Sequence, residues 1–176
     1  MNIIAIIQAK MNSVRLPGKV MMDVGGYLMI DWVVRRTKLS SKITNTIVAT
    51  TDNEFDDPII SWCINHGHDY FRGSEKDVLL RFYLCAKYYN ADLIVRVTAD
   101  DPLKDPQVID SAIDKLISSN ADYCSNTINI SYPEGLDIEV FTFDALEKAN
   151  NNAKLLSERE HVTPYIWKNP DKFNIN

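Results

Sequence analysis

The sequence predicts one α/β domain, built on an open, mostly parallel sheet with helices on both faces. Three observations predict it. Short runs of β-branched and apolar residues recur along the chain, nearly unbroken, as in strands covered on both sides. Amphipathic segments with helix start and stop signals alternate with them, which is the pattern of βαβ units. The 176 residues, 45% of them hydrophobic, are enough for one packed core without staples, and no repeat, low-complexity tract or linker breaks the alternation.

Taken in order, the first strand is "NIIAIIQ" (2–8). Gly25-Gly26 makes a tight turn before a helix over about 27–38, whose buried side carries Leu28, Ile30, Trp32, Val33 and Val34. A second strand is "NTIVATT" (45–51). Asp57-Pro58 opens the next helix, with proline at the first helical position, and Gly67 closes it. In "FRGSEKDVLLRF" (71–82) a glycine turn leads into a helix over 75–89, with Ser74 and Asp77 as its capping box. The strand "DLIVRVT" (92–98) follows, then a helix opened by Asp105-Pro106. Two more strands are read at 122–126 and 137–143, and Ser157 with Glu160 reads as a capping box just before His161.

Charge is unevenly distributed. The formal net charge is -5, yet residues 1–42 hold seven Lys or Arg against two Asp or Glu, leaving twelve against twenty-two for the rest. A pI near 5.2 argues against a broad nucleic-acid surface, while a local basic loop can still hold a small polyanion. "IIAII" is too short for a signal peptide or a membrane span, so a cytoplasmic protein is expected. Cys63, Cys85 and Cys124, odd in number and without CxxC spacing, read as reduced core thiols. Trp32, Tyr132 and Trp167 read as exposed aromatics that leave room for an interface.

In open parallel sheets ligands bind outside the carboxyl ends of the strands, so the segments after the strands carry the functional signal. After the first strand, "QAKMNSVRLPGK" spaces Lys10, Arg15 and Lys19 along a loop with Gly18, a set suited to a triphosphate because Arg forks onto two oxygens and Lys supplies a mobile point charge. A solvated loop with scattered cations is the alternative. Neither the P-loop pattern nor GxGxxG is present. In "TADDPLKDP", Asp100 can act as a magnesium ligand, since magnesium takes one or two carboxylates along with substrate phosphates, or it can belong to a polar turn; Asp101 beside Pro102 reads as turn-shaping. In "YPEGLDIEVF", Asp137 and Glu139 alternate with apolar residues and share one face, either completing a metal or sugar site or facing solvent on an edge strand. Arg72 and Ser74 sit at a helix N-terminus able to hydrogen-bond a ligand. His161 by itself reads as structural.

"IIQAKMNSVRLPGK", "VATTDNEFDDPI", "FRGSEKDVLLRF", "VRVTADDPLKDP", "YPEGLDIEVF" and "SEREHVTPYI", in this order, strongly resemble the spore coat polysaccharide biosynthesis protein F family of sugar cytidylyltransferases, over almost the whole chain. That family is similar to the synthetases of CMP-linked sialic acids and CMP-Kdo. The resemblance implies a Rossmann-like nucleotidyltransferase fold, often dimeric, that transfers CMP from CTP to an acid sugar with release of pyrophosphate and a need for magnesium. It implies that Lys10, Arg15 and Lys19 hold the triphosphate, with Gln8 also on the nucleotide side. Arg72 to Ser74 and Thr98 would line the base pocket, Asp100 would ligate magnesium, and Asp137, Glu139, Glu160 and His161 would face the sugar. Lys19, Asp100 and Asp137 are then the expected catalytic residues, with Asp137 accepting the proton of the attacking hydroxyl.

The chain departs from the family pattern in places. Lys10, Asn12 and Val14 stand where Arg, Gly and Thr are usual, which gives up a two-pronged phosphate grip and places a side chain where the backbone approaches phosphate. Asp101 replaces a usual Cys. Family members continue past the segment matching "NPDKFNIN", so the C-terminal part of the family is expected to be missing. Two other readings stay open: a non-catalytic nucleotide-binding or assembly module of the same fold, and a GT-A-like glycosyltransferase, which also places a metal-binding Asp after a central strand.

Overall fold

The computed structural model describes residues 1–130 and 132–176. Its first half runs β1 (Ile3–Gln8), β2 (Asp23–Val24), β3 (Tyr27–Leu28), α1 (Met29–Thr37), β4 (Asn45–Thr51), α2 (Asp57–His66) and β5 (Asp69–Gly73). The second half runs α3 (Val78–Tyr88), β6 (Leu93–Thr98), α4 (Pro106–Ser119), β7 (Tyr123–Ser125), β8 (Glu139–Thr142), α5 (Phe143–Asn152), α6 (Leu156–His161) and α7 (Pro164–Trp167). One six-stranded sheet has the order β5-β4-β1-β6-β8-β7. The first four of these run parallel, and β8 joins β6 and β7 antiparallel.

β1 is central because its residues tolerate cover on both faces: Ile4, Ala5, Ile6 and Ile7 are all 0% exposed. The two-residue side-chain period then sorts the core. Ile3, Ala5 and Ile7 pack with Ile30, Val33, Ile59, Trp62, Ile109 and Ile113 of α1, α2 and α4. Ile4 and Ile6 pack with Leu79, Phe82, Leu146 and Ile166 of α3, α5 and α7. Cys63, Cys85 and Cys124 are buried free thiols, and burial pushes the first two up to about 12, so they stay protonated.

Most expected elements form, and the differences have physical reasons. Gly25 and Gly26 both take positive φ (65° and 91°) and close a two-residue hairpin between β2 and β3 before α1 begins, so the helix starts at Met29 rather than 27. Trp32 is half-buried, with its indole N–H donated to the Val24 carbonyl at 2.7 Å. β5 lies where only a turn was expected, because Phe71, Arg72 and Gly73 pair in register with Ala49, Thr50 and Thr51. α3 starts at Val78, and its cap is the Asp77 side chain accepting from the Leu80 N–H; Ser74 Oγ instead accepts from the Asp77 N–H. At α6 the start is held by Glu158, which accepts from the N–H groups of Lys154 and Leu155, and not by Ser157 with Glu160.

At α4 the sequence signal holds: the Asp105 side chain accepts from the N–H groups of Gln107 (2.8 Å) and Val108 (3.2 Å). Asp105→Ala is expected to cost about 1 kcal/mol, measurable as a lower urea midpoint at unchanged slope. Among the described residues, no helix is long and apolar enough to cross a membrane.

The strand order decides where a ligand can sit. From β1 the chain moves to β4 on one side, while β6 lies on the other, so the loops leaving the carboxyl ends of β1 and β6 diverge and leave a crevice. Gln8 ends β1 and Thr98 ends β6, and the two residues are register partners.

Candidate active site

The loop after β1 folds over this crevice for local reasons. Gly18 takes φ 74°, and its N–H donates to the Met11 carbonyl at 2.8 Å, which closes the loop on itself. The buried Asp56 carboxylate fixes the loop to the β4 end by accepting the Met11 N–H at 2.7 Å. Lys19 then opens a short 3-10 turn, and its ammonium forms an ion pair with Asp100 from the far side of the crevice. The residues are far apart in sequence and meet because β1 and β6 are neighbours.

A small pocket of about 180 Å³ lies at this pair, lined by Gln8, Lys10, Ser13, Lys19, Thr98 and Asp100. Gln8 Oε1 is buried there with no hydrogen-bond partner among the described residues. Burial of Asp100 works to raise its pKa, but the hydrogen bond and charge of Lys19 outweigh it and hold the carboxyl below the usual range. A depressed carboxyl contributes stability that is full above its unfolded value, about 3.9, and lost as pH falls through the folded value. Between about pH 6 and pH 3, wild-type melting temperature should therefore fall further than that of Asp100→Asn.

A second cavity of about 440 Å³ adjoins it, sharing Thr98 and Asp100. It is also lined by Asp137, Glu139, His161 and Thr163, and by Arg96, Asp101 and Lys104. Glu139 is 8% exposed and forms an ion pair with Arg96. Its Oε1 accepts from the Tyr123 hydroxyl and the Thr163 hydroxyl, both at 2.6 Å. Lys104, 1% exposed, donates to Asp101 Oδ2 at 2.9 Å and to the Asp137 carbonyl at 2.7 Å. Between His161 and Thr163 the buried Val162 takes φ 72°, ψ −58°, with the Thr163 N–H donated to the His161 carbonyl at 2.9 Å. This is a γ-turn, a strained geometry for a β-branched residue, and it sets two cavity-lining side chains on either side of a buried anchor.

The expected site residues divide. Gln8, Lys10, Lys19, Thr98 and Asp100 converge on the smaller pocket, and Asp137, Glu139 and His161 on the larger cavity. Arg15 is exposed and lines neither, and Glu160 is exposed and outside both. Arg72 is spent on its own fold, donating to the Thr51 and Asn53 carbonyls (both 2.9 Å) and to Asp57 (2.8 Å). Glu139 is not a solvent-facing carboxylate, because β8 is covered by β7 and by Thr163. Asn12 is absent from the described non-glycine residues with positive φ, so a side chain there requires no backbone strain.

Sequence reasoning missed Arg81, Arg96, Lys104 and Thr163. Arg81 is 1% exposed, and burial lowers its pKa against the pull of Asp56. It donates to the Ser74 carbonyl at 2.7 Å, while its stem lies against Gly73, where an added Cβ would stand 3.0 Å from Arg81 Cγ. Gly73→Ala is therefore expected to shift this loop and destabilise by about 1–3 kcal/mol, read by thermal unfolding. A basic residue three or four positions into a helix gave the only available signal for Arg81, and it reads equally as surface.

A small pocket carrying Lys10 and Lys19, joined to a larger polar cavity at the switch point of a mostly parallel sheet, is the arrangement of a nucleotidyltransferase. Residues 4–175 match the family model described as cytidylyltransferase, and the chain belongs to that family. It is 49% identical to an uncharacterized protein of Methanocaldococcus jannaschii over 99% of this chain and 71% of that protein. It is 35% identical to the spore coat polysaccharide biosynthesis protein SpsF of Bacillus subtilis, over 99% of this chain and 73% of that one. A cytidylyltransferase structure from Leptospira borgpetersenii superposes with TM-score 0.93 at 36% identity, covering 99% and 74% of the two chains. A CMP:2-keto-3-deoxy-manno-octonic acid synthetase solved with CTP shares the fold at TM-score 0.77, with 16% identity over 100% and 88%.

Proposed function

We propose that this enzyme transfers CMP from CTP to a sugar hydroxyl in the cytoplasm, releasing pyrophosphate, as a step towards surface or spore coat polysaccharide. The observation that carries the proposal is the pair of adjoining sites that share Thr98 and Asp100. One holds Lys10 and Lys19 for the phosphates, and the other offers Asp137 and His161 to a hydroxyl. The hydroxyl oxygen bonds to the α-phosphorus, the bond from that phosphorus to the bridging oxygen breaks, pyrophosphate leaves with the electron pair, and Asp137 takes the hydroxyl proton. Such transfers depend mainly on positioning and neutralisation of charge, and Lys19 supplies both.

Magnesium fits the residues present. Among the described residues no three His, Cys, Asp or Glu side chains gather into a metal cage, and magnesium carried on phosphates needs only one or two carboxylates. Asp100 would hold it, and the ion when bound would spread the charge of the triphosphate. The dimer implied by the resemblance belongs to the same proposal, with Tyr132 (41% exposed) and Trp167 (38% exposed) as surface aromatics available to it.

The test is thermal unfolding with magnesium and each of CTP, UTP and ATP, followed by pyrophosphate release. A ligand at 100 times its dissociation constant stabilises by about 2.7 kcal/mol, so selective stabilisation by CTP is expected. Equal response to all three, or to none, would refute the reading. Pyrophosphate formation separates it from a glycosyltransferase, which releases none.

A further inference from the structure

Asp137 is exposed on the larger cavity, and its carboxylate has no hydrogen-bond or ion-pair partner among the described residues. Its backbone, by contrast, is held at three successive points. Asn126, directly after β7, donates its side-chain N–H to the Leu136 carbonyl and accepts the Ile138 N–H on its side-chain oxygen, both at 2.8 Å. Between these two, the Lys104 ammonium donates to the Asp137 carbonyl at 2.7 Å.

Lys104 is itself firmly placed. It is 1% exposed, its ammonium also donates to Asp101 Oδ2 at 2.9 Å, and its own carbonyl accepts from Arg36 Nε of α1 at 2.5 Å. Burying an ammonium costs free energy that an apolar contact between the same loops would not. What the ammonium adds is direction. Lys104 stands in the loop after β6 that also carries Asp100, so it ties Asp137 to the phosphate side of the crevice rather than leaving it to the connection from β7. A side chain on a backbone fixed in this way has little left to order before it meets a reacting atom, and its carboxylate stays free of competing donors.

We propose that Lys104 and Asn126 are positioning residues for Asp137: they fix three consecutive backbone groups, with Asp101 as the counter-charge, so that the free carboxylate meets the acceptor hydroxyl in place. The inference rests on the cytidylyltransfer reading, in which Asp137 takes the hydroxyl proton.

The experiment measures pyrophosphate release from CTP and magnesium with glucose, glucosamine, sialic acid and Kdo, using the fastest of them for the variants. Asp137→Asn is expected to lower kcat by about 10²-fold or more. Lys104→Met should lower it by about ten-fold or more with KM for CTP unchanged, and the double variant should be no slower than Asp137→Asn alone. Asn126→Ala should behave as Lys104→Met does, and it takes its place if melting temperature and CTP shift show that Lys104→Met does not fold. The same fractional loss from Lys104→Met with and without Asp137 would reduce Lys104 to a structural clasp and overturn the inference. Full activity of Asp137→Asn would instead overturn the reading beneath it. Should none of the four sugars be used, hydrogen exchange decides: the Ile138 amide is expected to exchange at least about 100-fold slower than an unprotected amide in the wild type, and an unprotected Ile138 would overturn the inference.

Discussion

Lys19→Ala is expected to lower pyrophosphate release from CTP by about 10²–10³-fold in a protein that still folds. Lys19 combines three properties that Lys10 and Arg15 lack together. It stands on a 3-10 turn fixed by the Gly18 backbone, it lines the pocket, and its ammonium is already held at the end of β6 by Asp100. A charge fixed in place before the reaction stabilises developing charge without reorganisation, whereas a charge on an exposed loop must be ordered first. Lys10→Ala, which removes an exposed cation from the rim, should therefore act mainly on KM for CTP. Asp100→Asn should match the loss of rate expected of Lys19→Ala and flatten the dependence on magnesium. Normal turnover by both Lys19→Ala and Asp100→Asn would remove the site from consideration.

Glu139→Ala is expected to destabilise the protein by about 3–5 kcal/mol, a fall in melting temperature of about 10 °C or more for a domain of this size. The cause is what the variant leaves behind. The Arg96 guanidinium, the Tyr123 hydroxyl and the Thr163 hydroxyl would each lose a buried acceptor at once. Tyr123 is fully buried, and burial with the adjacent carboxylate raises its pKa, so the phenol stays a donor across the accessible pH range. Glu139→Gln should cost markedly less, since its carbonyl oxygen can still accept. Equal melting temperatures for Glu139→Ala and wild type would mean that the network contributes nothing to stability.

The alternation of apolar runs and capped helices was readable from the chain because each strand of the parallel core must be apolar on both faces, and "IIAII" has no other stable use at that length. Caps that rest on neighbours in sequence, such as Asp105 at α4 or Gly67 after α2, were readable for the same reason: the partner lies within four residues. β5 was not readable. Its residues "DYFRG" are half exposed, and they form a strand only because β4 presents an unpaired edge in register.

The local sequence thus determined the fold class, the positions of the core strands along the chain, the cationic loop and the carboxylates that follow β6 and precede β8. Which of these groups meet was decided by tertiary structure alone. Lys19 and Asp100 pair because the strand order makes β1 and β6 neighbours, and Arg72 is consumed by carbonyls of the β4 end because β5 brings it there. Asp137 and Glu139 look alike in sequence, yet one is exposed and has no side-chain partner among the described residues, while the other is buried among three donors. Periodicity specifies the face on which a side chain lies, while its charge environment is set by residues tens of positions away, so the chemistry of the site appears only once the sheet is assembled.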